Sequence, residues 1–296
     1  MSKLINTGER LHAEALDVNA VEHLHRYAFA SDLIAGQVVL DIACGEGYGS
    51  NLLAARAKSL IGVDISEEAV RHASTKYQRP NLEFRRGSAD QIPLEPHSVD
   101  CVTSFETLEH HTMHEEMLAE IKRVIRPGGL LIMSTPDKLN YTDRTNQNNE
   151  FHVKELYTAE FKDLISRYFR HADHYFQRAS FCGMLTPAEP AEAALIHYSG
   201  DFTAVFSTAS MPEPIYNVAI ASDGPLPARL HSVFEGTTVY ESLRDIHAEQ
   251  TLLLKSLRQR VENADKEIGN LRGSLSLKIG RVVTWPLRLL GGRSSG

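Results

Sequence analysis

Cysteine, tryptophan and long apolar runs are scarce in this sequence. Among 296 residues there are one tryptophan and three cysteines, Cys44, Cys101 and Cys182, whose spacing suits neither a disulfide framework nor a metal knuckle. No stretch reaches the ~18 apolar residues that a membrane-spanning helix needs. Residues 1–10 lack the apolar segment of a secretion signal. We therefore expect a cytoplasmic protein in a reducing compartment.

Basic charge is also in short supply. The 31 Lys and Arg residues are outnumbered by 38 Asp and Glu, which leaves a net charge of −7 at pH 7. Without an overall positive field, the chain is poorly suited to a nucleic acid as substrate or partner. Its length allows one large α/β domain and a smaller part.

What the sequence does contain is an apolar strand followed by a glycine-rich turn. Val38–Ile42 is apolar apart from Asp41, as in a strand buried on both faces of a parallel sheet, and three glycines follow within 45–49. A second apolar strand, 59–63, ends at Asp64. A carboxylate about 20 residues beyond such a turn can accept hydrogen bonds from ribose hydroxyls. The pattern predicts a nucleotide-type site.

The turn is not suited to a phosphate. Its glycines do not follow the G-x-G-x-x-G pattern of pyrophosphate loops, and no basic residue occurs between Asp41 and Arg56. Glu46 would repel a phosphate at the start of the next helix. The loop therefore suits a nucleoside without phosphates.

Several motifs resemble those of class I S-adenosylmethionine (SAM)-dependent methyltransferases of the type 11 kind. Asp-x-x-x-Gly-x-Gly at 41–47 resembles their motif I, Gly-Val-Asp-Ile-Ser at 62–66 resembles motif II, and 120–132 resembles the segment after motif III. The resemblance covers 15–222 and implies SAM as the cofactor. It also implies an α/β fold, a Rossmann-like seven-stranded sheet with flanking helices. Segments 171–177 and 215–222 alternate apolar with polar residues or run apolar, which predicts that they are the last two strands and form an antiparallel pair.

The resemblance also implies which residues hold SAM. These are Tyr27, Asp41, Ala43, Gly45, Gly47, Asp64, Ile65, Ser88, Ala89, Asp90 and Phe105. Ala89 would donate from its backbone to adenine and Asp90 would face the exocyclic amine, the alternative for Asp90 being an ordinary turn residue. The helix at 18–33 carries a Glu-His-x-x-Arg-Tyr pattern that covers SAM in relatives. The alternative for this helix is a solvated helix packed on the sheet edge.

Three histidines are candidates for a catalytic base. His110 and His111 follow the fourth predicted strand, and His152 follows the polar loop after the fifth. Ligands of open α/β sheets bind beyond the carboxyl ends of the strands, and histidine suits proton abstraction from a hydroxyl at neutral pH. The alternative for each is a structural histidine. No cluster shows clear metal-ligand spacing, so no metal site is expected.

The remainder of the chain changes character after the predicted core. We expect a lid helix within 1–36, a methyltransferase domain at 37–222 with an acceptor-side insertion at 178–214, a linker at 223–239, a coiled coil at 240–275 and a basic amphipathic tail at 276–296. Apolar residues at steps of three and four in the coiled coil predict a homodimer. Arg, Leu and Trp in the tail predict contact with a membrane surface or with a partner protein such as a glycosyltransferase.

A methyltransferase with this C-terminal part resembles bacterial enzymes that methylate the end of a lipid-linked O-antigen polysaccharide. The resemblance implies a sugar hydroxyl as acceptor and a peripheral position at the inner membrane. The alternatives are a methyltransferase of a small metabolite, such as a quinone precursor or a nucleotide sugar, and a non-catalytic SAM-binding scaffold. The core motifs do not decide among them, because a fold does not fix a substrate.

Overall fold

A computed structural model describes residues 11, 17–146, 148–180, 182–184, 196–200, 202–229, 231–273, 279–280 and 282. The helices are α1 (Val18–Leu33), α2 (Tyr48–Ala54), α3 (Glu67–Lys76), α4 (His114–Val124), α5 (Thr158–Tyr168) and α6 (Thr237–Gly273). The strands are β1 (Val38–Ile42), β2 (Ser59–Asp64), β3 (Leu82–Arg86), β4 (Val99–Phe105), β5 (Ile125–Pro136), β6 (His171–Gln177), β7 (His197–Gly200), β8 (Val205–Thr208) and β9 (Tyr216–Ser222).

Seven of the strands form one sheet in the order β3-β2-β1-β4-β5-β9-β6. The first five strands pair in parallel, and β9 pairs antiparallel with both β5 and β6. The strand order reverses between β1 and β4, which is where open α/β sheets bind their ligands. The Rossmann-like seven-stranded sheet and its antiparallel last pair are confirmed.

Apolar layers cover both faces of the sheet. On one face, α4 and α5 bury side chains such as Met117, Ile121 and Phe161. On the other, α1 and α2 bury Ala30 and Leu53 against β1 and β4. Each such burial is worth roughly 1.5–3 kcal/mol in transfer free energy for the larger side chains, so these two layers hold the helices on the strands.

A tertiary contact joins α5 to the end of β5. Thr158 is the first helical residue of α5, and Tyr157 is the cap. The Thr158 hydroxyl donates to Asp137 Oδ1 at 2.9 Å, which ties α5 to the end of β5. The strand β5 begins at Ile125, directly after α4.

Helix α1 has the predicted bounds, 18–33, and buries charged side chains. Its buried residues include Glu22, Arg26 and Tyr27, whereas Ala28 is exposed. Burial of two charged side chains was not anticipated, because a simple apolar stripe ignores ion pairs that form with distant strands.

Contacts between Cα atoms divide the chain into two units, Met1–Val239 and Tyr240–Gly296. In the first unit the insertion after β6 contains an antiparallel hairpin of β7 and β8. The predicted tail lies outside the described residues except for 279–280 and 282. None of the described helices combines the length and apolar character needed to cross a membrane. The domain boundaries proposed from the sequence stay predictions.

Candidate active site

Asp41, near the carboxyl end of β1, is the most deeply buried acid of the glycine-rich loop region. Only 1 % of it is exposed. Ser50 Oγ donates to its Oδ2 at 2.6 Å, and Thr103 Oγ1 donates to its Oδ1 at 2.7 Å. Burial, together with the nearby Asp64 carboxylate, raises the pKa of Asp41 to about 6, although the two hydroxyl donors act in the opposite direction.

Asp64, at the end of β2, holds the loop and the next helix in place. Its Oδ2 accepts from Gly45 N–H at 2.8 Å, and its Oδ1 accepts from Ser66 N–H at 2.9 Å. Its backbone carbonyl accepts from Gly87 N–H, which brings the turn after β3 to the same edge of the sheet. The predicted ribose ligand is therefore also the residue that organises the loop.

The loop takes its shape from left-handed backbone conformations and close packing. Ala43 and Gly45 have φ values of 57° and 56°. A Cβ at Gly49 would lie 1.9 Å from the Tyr27 ring, so only glycine allows α1 to sit this close to the loop. At Gly47, φ is 91° and a Cβ would lie 2.7 Å from Ala73. Gly47 and Gly49 are therefore required by the backbone conformation and by the packing of the protein itself.

Glu46 does not face a ligand at the start of α2. Its carboxylate is buried and turned toward α3, where it accepts from Lys76 Nζ at 2.5 Å and from the Tyr77 hydroxyl at 2.8 Å. Lys76 offsets its charge. The expectation that the Glu46 charge repels a phosphate is therefore wrong, because the Lys76 ammonium group already pairs with that charge.

The predicted adenine side lies beyond β2 and β3. Ile65 directly follows Asp64, and 67 % of this large apolar side chain is exposed. Ser88, Ala89 and Asp90 follow the turn that Gly87 joins to β2, and all three are half-buried. The exposed Ile65 beside Asp64 offers an apolar surface that a flat ring could cover.

Aromatic side chains join the lid helix to the end of β4. Tyr27 and Phe105 are both buried, and their rings meet edge to face with centroids 5.0 Å apart. Tyr48 packs on Tyr27 at 5.6 Å, and its hydroxyl lies 2.7 Å from His23 Nδ1. The structure thus brings Tyr27, Phe105 and the glycine-rich loop together.

A polar network that the sequence did not reveal joins α1 to the strand ends. Arg26 Nη1 donates to Gln177 Oε1 at 2.9 Å and lies 3.4 Å from Glu106 Oε1, and its guanidinium stacks on Tyr216 at 4.7 Å. Glu106 has a left-handed φ of 52° and accepts from the Ser134 hydroxyl at 2.5 Å. The pairing joins α1 to residues far along the chain, so no local pattern could indicate it.

Glu109 is a second buried acid beside Glu106. It is 1 % exposed, and its Oε2 accepts from Thr135 Oγ1 at 3.0 Å. Burial raises the pKa of this carboxyl well above its usual range, and the neighbouring Glu106 carboxylate adds to the effect.

The three candidate histidines fall into two groups. His110 and His152 meet edge to face with ring centroids 5.3 Å apart, beside Glu109. His111 lies apart from them against His114, with centroids 5.6 Å apart. Both ring nitrogens of His111 are buried and have no hydrogen-bond partner among the described residues. Burial lowers the pKa of His111, and His114 lowers it further, so the ring is neutral at pH 7.

Comparison with known proteins agrees with this architecture. Residues 40–133 match the family model of a methyltransferase domain. This stretch therefore forms a methyltransferase domain. A probable SAM-dependent methyltransferase of Mycolicibacterium smegmatis is 36 % identical over 167 residues, which cover 55 % of this chain and 64 % of that protein. The chain thus spans less than two thirds of the length of this relative.

Two further comparisons define how far the similarity reaches. The phthiotriol/phenolphthiotriol dimycocerosates methyltransferase of Mycobacterium leprae is 35 % identical over 109 residues, 36 % of this chain and 40 % of that protein. The solved structure of a Thermotoga maritima SAM-dependent methyltransferase covers 70 % of this chain and 91 % of its own, with a TM-score of 0.50 and 20 % identity. At that identity it shows the shared fold alone.

The residues of the methyltransferase domain fit SAM. The acid at the end of β2, the exposed Ile65 beside it and the left-handed loop offer a carboxylate for hydroxyls, an apolar surface for a ring and close backbone approach. The individual contacts named from the sequence stay predictions.

Asp41→Asn tests the burial of this acid. The pKa of Asp41 is about 6 in the folded chain and ~3.9 in an unfolded one, so the folded state binds the extra proton and stability falls as pH rises from 4 to above 6. A difference of ~2 pKa units corresponds to ~3 kcal/mol. Urea unfolding at pH 4, 5, 6 and 7 should show that, as the pH rises, the free energy of unfolding falls less for Asp41→Asn than for the wild type.

Asp32→Asn is the matched control, because Asp32 is an exposed acid on α1. It should keep the wild-type pH dependence. Equal pH dependence in wild type and Asp41→Asn would contradict the raised pKa.

Proposed function

We propose that this chain transfers a methyl group from SAM to a hydroxyl oxygen of a membrane-associated acceptor, namely a sugar of a lipid-linked surface polysaccharide of the O-antigen type. The observation that carries the proposal of methyl transfer is the edge formed by β1, β2 and β4. There Asp41, Asp64 and the glycine-rich loop meet on a methyltransferase domain.

Bound SAM supplies a methyl carbon on a positively charged sulfur. Transfer of that carbon to an acceptor oxygen, with the sulfur as leaving group, would require the protein chiefly to hold the two reactants in line. The acceptor proton goes to a base, and we assign this role to His111. Its neutral ring and its two ring nitrogens, unpartnered among the described residues, suit it to accept that proton.

Two observations support an acceptor at a membrane surface. The hairpin of β7 and β8, inside the predicted acceptor-side insertion, exposes Tyr198, Phe202, Val205 and Phe206 by 66 % or more. Clustered exposed apolar side chains are typical of surfaces that meet lipid or another apolar partner. The tail beyond Glu267 contains Arg and Lys but no acidic residue, which suits an anionic lipid surface.

A hydroxyl on a lipid is the second candidate acceptor. It is favoured by the relative from Mycobacterium leprae, whose name gives a dimycocerosate lipid as its substrate. The exposed hairpin serves either acceptor, since both present an apolar part at the membrane.

SAM binding is the first test of the proposal. Calorimetry with the full chain should give saturable binding, and Asp64→Ala should weaken it by about 2 kcal/mol, because a hydrogen-bonded carboxylate is lost. Asp32→Asn, which removes an exposed acid, should bind SAM as the wild type does. A folded wild type that binds no SAM would contradict the proposal.

Methyl transfer from radiolabelled SAM identifies the acceptor. Bacterial membranes incubated with the full chain should incorporate label into lipid-linked glycan, whereas label in glycan-free lipid would support the second candidate. His111→Asn should lower the rate by about 10²-fold or more with unchanged SAM affinity, and the exposed His171→Asn should not. Label in water-soluble metabolites alone would contradict a membrane acceptor. SAM binding without transfer to any acceptor would favour a scaffold.

We also propose that α6 forms a homodimeric coiled coil. This helix has 37 residues, and its exposed apolar side chains Leu253, Leu257, Val261, Ile268 and Leu271 follow steps of three, four and seven. At 1.5 Å per residue it is roughly 55 Å long. An apolar stripe with this spacing on a largely polar helix is typical of a coiled-coil seam.

Sedimentation equilibrium of the full chain tests the dimer. The wild type should be dimeric, and Leu257→Asp should shift it toward monomer because a charge enters the seam. Gln259→Asp adds the same charge to an exposed position away from the seam and should stay dimeric. A monomeric wild type would rule out the dimer.

A further inference from the structure

Three potential metal ligands converge where the segments after β4 and β5 meet. One ligand atom from each of Glu109, His110 and His152 lies within 4.8 Å of the other two. Glu109 and His110 belong to a short 3-10 turn at Leu108–His110, and His152 lies in the loop before α5. Backbone N–H groups of Val153 and Lys154 donate to the Glu109 carbonyl, which holds the two segments together.

We infer that Glu109, His110 and His152 form a binding site for a divalent transition-metal cation. The first support is the orientation of His110. Its Nδ1 lies 3.1 Å from the Phe151 carbonyl oxygen, which can only accept, so the proton is on Nδ1. The lone pair of the neutral ring is then on Nε2, which lies 3.9 Å from Glu109 Oε1.

His152 is fixed in the same tautomer by a carboxylate. Its Nδ1 lies 2.5 Å from Glu155 Oε1, and both side chains are more than nine-tenths buried. Its Nε2 accepts from the side-chain NH₂ group of Asn149 at 3.0 Å. The side-chain oxygen of Asn149 accepts in turn from Phe151 N–H, which fixes the orientation of the amide. A histidine that donates one ring N–H to a carboxylate while the other nitrogen holds a lone pair is the usual arrangement around protein-bound metals. A cation would replace the Asn149 amide at Nε2.

The position of Glu109 is the third support. Its Oε2 accepts from the Thr135 hydroxyl, so Oε1, which lies 3.9 Å from His110 Nε2, is the oxygen on the side of that histidine. A carboxylate oxygen and an imidazole nitrogen at this separation can bind one cation between them.

The ligand set selects a class of cation. Two imidazole nitrogens and one carboxylate oxygen suit Zn²⁺, Co²⁺ or Mn²⁺ better than Mg²⁺ or Ca²⁺, which prefer oxygen. Three protein ligands leave a position for water or for an oxygen of the acceptor. This inference revises the expectation of no metal site, which rested on local spacing, and it is independent of the proposed methyl transfer.

Titration of the chelator-treated full chain with Co²⁺ tests the site, because the visible absorption of Co²⁺ changes when imidazole nitrogen replaces water. The wild type should take up one equivalent with nitrogen ligation, and Zn²⁺ should displace it. Glu109→Gln and His152→Asn should each lower the affinity by at least about tenfold. His171→Asn, a change at an exposed histidine, should bind Co²⁺ as the wild type does.

Circular dichroism in chelator establishes that each variant is folded before titration. If Glu109→Gln does not fold, Glu155→Gln tests the same site through the carboxylate that orients His152, with an expected loss of about 10- to 100-fold. SAM binding, measured in chelator, reports separately on the cofactor site. A wild type without nitrogen-ligated Co²⁺, or variants that all bind Co²⁺ as the wild type does, would overturn the inference.

Discussion

The parallel pairing of β1 with both β2 and β4 is the constraint on which the site depends. Val39 lies opposite Leu60 on one side and Cys101 on the other. This register puts the carboxyl ends of three strands at one edge, so Asp41 and Asp64 lie next to each other although they come from different strands. The glycine-rich loop can then be held by Asp64 from outside its own segment.

Buried and half-buried acids lie at this edge, and each is stabilised in a different way. The hydroxyl groups of Ser50 and Thr103 donate to Asp41. Lys76 pairs with Glu46, and Arg26 lies beside Glu106. Because an unpaired buried charge is costly, each of these acids requires its own partner, which ties the loop, α1 and the strand ends to one another.

The sequence predicted the parts of the fold that have a local signal. The helix at 18–33 and the strands at 38–42 and 59–63 were predicted to within one residue of their bounds. The pattern of 171–177 and 215–222 indicated the antiparallel last pair. The start of α5 has no such signal, because Thr158 uses its hydroxyl for a tertiary contact with Asp137, and a cap pattern considers only neighbours in sequence.

The candidate site was predictable where its residues follow strand ends and was not where distant segments meet. Asp41, Gly45 and Asp64 come directly from the first two strand ends, and the structure brings them together. Arg26 with Glu106, and His110 with His152, are pairs separated by long stretches of chain. Only the folded backbone reveals such pairs, because neither periodicity nor spacing records which loops come together.

The hydrogen bonds of Glu22 join α1 to the chain that follows β6. Its backbone carbonyl accepts from Gln177 Nε2, and its carboxylate accepts from Ala179 N–H. Helix α1 and this segment are therefore held by the same few bonds. Displacement of either one breaks contacts of the other, so their movements are mechanically coupled.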